Sequence, residues 1–186
     1  MVMSLEPVAE LSDGSWLALS GECTGEQVER FLSTLTGYLQ VETLAEAEVL
    51  IMQGGLRIAD RRTGAVVVPG CCGGLEDWRD WLEILAGGSP WLGHDPSPKV
   101  EIDGDRARVW QDSNPVRGPY VDVPLADLPG LLLGVQRDLT AFLELLDTPV
   151  ARMVDRDFGV TAVLLDGAGA VLGRSVDGGA VGAHER

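Results

Sequence analysis

The chain has 186 residues, 45% of them apolar and 23% charged, a size and balance that fit one globular domain and leave no room for two full ones. Set against 29 Asp and Glu, 14 Lys and Arg leave a net charge of −15, which disfavours nucleic acid and anionic membrane as partners and favours a basic partner or merely solubility. The 3 cysteines, Cys23 and the adjacent Cys71 and Cys72, are an odd set that makes a poor disulfide framework and fits a reducing cytoplasm.

The first residues show neither a basic segment nor the apolar core of a secretory signal, and no apolar run approaches the roughly 18 residues of a membrane span. Lys99 is the sole lysine among the basic residues, a bias that fits a GC-rich bacterial genome. Trp16-Leu17-Ala18-Leu19 follows the turn-forming Asp13-Gly14 and reads as the first strand. Thr24-Gly25-Glu26-Gln27 has the form of a capping box, and Val28, Phe31, Leu32 and Leu35 then repeat at helical spacing up to Gly37. Residues 48–52 and 56–59 read as extended, and Arg61-Arg62-Thr63-Gly64 as a turn into the strand Ala65-Val66-Val67-Val68.

Pro69-Gly70 ends that strand. Leu75, Trp78, Leu82 and Leu85 predict an amphipathic α-helix closed by Gly87-Gly88, with Glu76, Asp77, Asp80 and Glu83 on its solvent face. Pro90 to Pro98 is a proline-punctuated loop, after which Val100-Glu101-Ile102 and Ala107-Arg108-Val109-Trp110 flank a hairpin turn at Asp103-Gly104-Asp105. Tyr120-Val121-Asp122-Val123 is a further strand. The stripe Leu128, Leu132, Val135, Leu139, Phe142, Leu143 and Leu146 predicts the longest helix, capped by Asp127 with Pro129 in its first turn. Residues 160–165 and 170–172 are expected to pair across Asp166-Gly167-Ala168-Gly169. Strands clustered between helices without a regular βαβ alternation predict an α+β domain over residues 1–178, a mainly antiparallel sheet packed by about three helices, with 179–186 as a flexible tail.

The densest group of unusual residues is Gly70-Cys71-Cys72-Gly73-Gly74, just before the second helix. A thiol there would feel the positive end of the helix dipole, which allows a cysteine-dependent enzyme built on Cys71 or Cys72; the plainer expectation is two small buried apolar side chains, with the glycines permitting a tight strand-to-helix turn. Cys71, Cys72 and His94, with Asp95 as an oxygen donor, are also a candidate zinc set, although adjacent cysteines offer an awkward tetrahedral bite. The loop lacks the Lys and Ser/Thr of a phosphate-binding loop, and no cofactor is expected. Trp81 and Trp91 are candidates for an exposed aromatic contact.

Gly159 to Asp166 is similar to the opening strand of Nudix hydrolases, without the glutamate-rich metal-binding helix that family needs. Leu92-Gly93-His94-Asp95, two strands with Trp110-Gln111-Asp112, and a helix carrying Asp138-Leu139 and Phe142-Leu143 resemble the later half of SUKH-type bacterial immunity proteins, over residues 92–143. That resemblance implies an α+β cytoplasmic protein that binds and neutralises a toxin domain. With no complete catalytic set in the chain, the expectation is a non-enzymatic acidic binding protein of the immunity type. Glu76, Asp77, Asp80, Glu83, Trp81 and Trp91 are its candidate partner-binding residues. The alternatives are the cysteine enzyme and an assembly subunit of a larger complex.

Overall fold

The computed structural model describes residues 3–113 and 118–164. The fold is α+β, with two antiparallel sheets in place of the one expected: β1 (Met3–Glu10), β2 (Trp16–Ala18), β3 (Gly54–Asp60) and β4 (Ala65–Val67) form the first in the order β2-β1-β3-β4. The second, in the order β5-β6-β7, holds β5 (Lys99–Asp103), β6 (Arg106–Trp110) and β7 (Tyr120–Pro124). Three α-helices, α1 (Gly25–Leu39), α2 (Leu128–Leu143) and α3 (Thr148–Phe158), pack with them around one apolar core, and Phe31 of α1 meets Phe142 of α2 edge to face at 5.1 Å. No helix among the described residues is long and apolar enough to cross a membrane.

The predicted turns and caps form for the reasons read from the sequence. Thr24 and Gln27 close a reciprocal capping box on α1, and Gly104 takes positive φ between β5 and β6. Asp127, in contrast, makes no side-chain cap on α2.

β1 escapes the sequence reading because Pro7 sits inside it, and a proline argues against a central strand. The fold accommodates it at the end of the β1–β2 pairing. The Pro7 carbonyl accepts the Leu19 N–H at 2.9 Å, so the position lacking an N–H faces past the last residue of β2 rather than towards β3. Across the other edge Glu6 stands opposite Arg57, which closes a 2.6 Å ion pair.

Residues 48–52 are not a strand. The Leu50 and Met52 N–H groups donate instead to the carboxylates of Asp157 and Glu76, at 2.8 and 3.2 Å. Residues 160–164 are not a strand either: Arg79 donates to the carbonyls of Gly159, Ala162 and Val163, and Gln136 to those of Val160 and Ala162. The likeness to a Nudix opening strand is thereby corrected. The expected hairpin partner 170–172, its turn, and the tail lie outside the described residues.

The largest departure is the second helix. Leu75–Ala86 is a 3-10 helix, with i to i+3 bonds such as Asp77 N–H to the Gly74 carbonyl at 3.2 Å and Gly87 N–H to that of Ile84 at 3.0 Å. Its buried row is therefore Leu75, Trp78, Trp81 and Ile84, spaced by three, because residues three apart eclipse in this geometry. Of the expected stripe, Leu82 is also buried and Leu85 is half-buried.

One side chain joins the two sheets. The Gln111 amide accepts the Val68 N–H at 2.8 Å and donates to the Val68 carbonyl at 3.1 Å, making the pair of bonds a neighbouring strand would make just past the end of β4. Gln111→Ala is expected to lower stability by about 1–3 kcal/mol by leaving two half-buried backbone groups without partners, read as a lower urea midpoint. An unshifted midpoint would mean that water replaces the amide without loss.

Candidate functional site

β4 leads through Pro69-Gly70 into Cys71-Cys72-Gly73-Gly74 and the 3-10 helix, and the loop 87–98 returns across this segment. Two backbone bonds fix the crossing: Gly70 N–H to the Leu92 carbonyl at 2.8 Å and His94 N–H to the Cys71 carbonyl at 2.9 Å. The chains approach so closely because neither has a Cβ at the crossing. A methyl on Gly70 would fall on the backbone of Gly93, His94 and Pro96, and one on Gly93, whose φ is +98°, would fall on the backbone of Gly70.

This crossing brings Cys71, Cys72 and His94 together, with one ligand atom of each lying within 4.8 Å of the others. The two sulfurs are 3.6 Å apart and both thiols are exposed, which corrects the expectation of two buried apolar side chains. Adjacent residues in extended chain send their side chains to opposite faces, but Cys72 has φ +62° and breaks that alternation. The Asp95 carboxylate lies 3.4 Å from His94 Nδ1, and Gln53 Nε2 donates to the Cys71 sulfur at 3.7 Å. Gln53, 18 residues from Cys71 in the chain, carries no signal in sequence that would have marked it.

The hydrogen bond with Cys71, with smaller contributions from burial and the neighbouring thiol's charge, pushes the Cys72 thiol above its ordinary value. A nucleophilic cysteine needs the opposite shift.

The acidic residues divide. Asp77, Asp80 and Glu83 are spaced by three and stack along one edge of the 3-10 helix, about 6 Å apart by its rise of about 2 Å per residue. Asp77 and Glu83 are exposed and Asp80 half-exposed. Glu76 turns inward to accept the Met52 N–H, and is corrected as a surface residue. Trp81 is corrected too: at 2% exposure it is core. Trp91 is 58% exposed and lines, with Asp77, Pro69, Val67 and Pro98, a narrow cleft beside the crossing.

Burial is the main cause that raises the Glu76 carboxyl above the ordinary glutamate range, opposed by its backbone hydrogen bonds. A raised folded value favours the protonated form, so this contribution to stability is complete below the unfolded value of about 4.3 and is lost as pH rises through the folded one. Glu76→Gln keeps an oxygen for Met52 and removes the charge. Its urea midpoint relative to wild type is expected to climb from about pH 4 towards neutrality. A difference that stays flat with pH would show that Glu76 pays no desolvation cost when ionised.

No protein-family model, curated protein or solved structure matches the chain.

Proposed function

We propose that this chain is a non-enzymatic binding protein that receives a basic protein partner along the Asp77, Asp80 and Glu83 edge. The observation that carries this reading is that the acidic row begins at the cleft where Trp91 stands exposed. An exposed aromatic beside complementary charge is the composition of an interface hot spot, in which the ring supplies affinity and the charges supply steering and register. A net charge of −15 extends that steering beyond the contact itself. An immunity-type antidote to a basic toxin or effector domain is the role that suits this chemistry and the SUKH-like resemblance of residues 92–143.

Basic proteins encoded beside this chain are the partners to test. Reversal of Asp77 and Asp80 to lysine is expected to slow association about tenfold or more at low ionic strength and to flatten its salt dependence, while leaving stability within about 0.5 kcal/mol. Trp91→Ala is expected to speed dissociation. Association that keeps its rate and salt dependence in the double reversal would place the interface elsewhere.

A further inference from the structure

We propose that Cys71, Cys72 and His94 form a zinc(II) site with one coordination position left for an exchangeable ligand. The donor set is two thiols and an imidazole, borderline-soft ligands that suit zinc. A tetrahedral ion with Zn–S bonds of about 2.3 Å holds two sulfurs about 3.8 Å apart. The sulfurs here are already at 3.6 Å, and the full set spans no more than 4.8 Å, so closing on an ion asks for side-chain movement only.

The scaffold under these donors is fixed independently of any ion. The His94 N–H to Cys71 carbonyl bond and the contact between Gly70 and Gly93 hold the two loops in register, so the ligands converge from rigid backbone. The Asp95 carboxylate lies 3.4 Å from His94 Nδ1, and the Gln53 amide that donates to the Cys71 sulfur stands where an outer partner would support a thiolate. Three protein donors at an exposed surface differ from the closed four-ligand set of a structural zinc site and leave the last position to water or a ligand from outside. Binding replaces the thiol protons with the ion and releases them to solvent. This inference does not depend on the acidic edge or on the identity of a protein partner.

The test is titration of the full chain, reduced and freed of metal, with cobalt(II) as a spectroscopic probe and zinc(II) as competitor. One equivalent of cobalt is expected to give thiolate-to-metal charge-transfer absorption with the intense visible bands of tetrahedral geometry, and zinc to bleach both. Cys71→Ser, Cys72→Ser and His94→Ala are each expected to weaken zinc by more than the roughly 10–100-fold that loss of an outer partner costs. Cys23→Ser, which changes a thiol bonded to the Ala18 carbonyl, is expected to leave the spectrum intact. All three proposed ligands lie at the surface, so the metal-free variants are expected to keep the wild-type circular dichroism and urea midpoint. No charge-transfer band in the wild type with cobalt in excess overturns the site. So does a band of unchanged affinity in the Cys71→Ser/Cys72→Ser variant, and one that survives His94→Ala undiminished overturns the ligand set.

Discussion

Trp78→Ala is expected to cost about 3–5 kcal/mol, the loss typical of a deleted core aromatic. The ring is 1% exposed, its Nε1 donates to the Phe158 carbonyl at 2.9 Å, and the Arg79 guanidinium lies 5.1 Å from its centre. Deleting it opens a cavity, strands a buried carbonyl at the end of α3, and removes the surface on which Arg79 rests while it holds residues 159–163. Against a total stability of about 5–15 kcal/mol for a domain, such a loss brings the variant close to its unfolding threshold. Trp78→Phe, which retains part of the packing but not the hydrogen bond, is expected to fall between. Urea unfolding at neutral pH measures both, with Trp91→Ala as the surface comparison, expected within about 0.5 kcal/mol of wild type. A cost below about 1 kcal/mol for Trp78→Ala would mean that α3 does not depend on the 3-10 helix for its position.

The second large effect is expected at Gly70. An alanine there cannot be relieved by a side-chain rotation, because its methyl meets the backbone of the returning loop at Gly93, His94 and Pro96. Overpacking costs about 1–3 kcal/mol, and the displaced loop also forfeits the Gly70 and His94 backbone bonds at about 1 kcal/mol each, so Gly70→Ala should lose about 3–5 kcal/mol. The same substitution at Gly37, in α1 with nothing within 4 Å of the added carbon, is expected to stabilise by about 0.5–1 kcal/mol. Equal urea midpoints for the two variants would refute the close crossing. Because the crossing sets the spacing of Cys71, Cys72 and His94, Gly70→Ala should also separate the thiols from the imidazole.

The long-range effect of charge and the local effect of packing act on different residues here. Asp77 and Glu83 carry charge at the surface and are expected to govern encounter with a partner, while Glu76, one residue earlier than Asp77, serves the Met52 backbone.

Local chemistry was enough to place much of the fold. The capping box at Thr24 and Gln27, the hairpin glycine at 104, the branched side chains of β4 and the apolar stripe of α2 each act within a few residues, so each was legible in the chain. The α+β class followed from their order. Elements whose stability comes from distant partners were not legible. β1 carries a proline that only the end of β2 makes harmless, and α3 is a short helix with four charged residues among its eleven and Val154 and Phe158 as its fully buried ones. The winding of Leu75–Ala86 was not legible either: one apolar sequence admits a period of three or of 3.6, and the row Leu75, Trp78, Trp81 and Ile84 is buried in the 3-10 form. For the candidate site, the residue types at 71, 72, 77, 80, 83, 91 and 94 were readable, since thiols, carboxylates and an imidazole declare their chemistry. Their assembly was not, because Cys71 and His94 lie 23 positions apart by number and meet only where two glycines let the backbones cross.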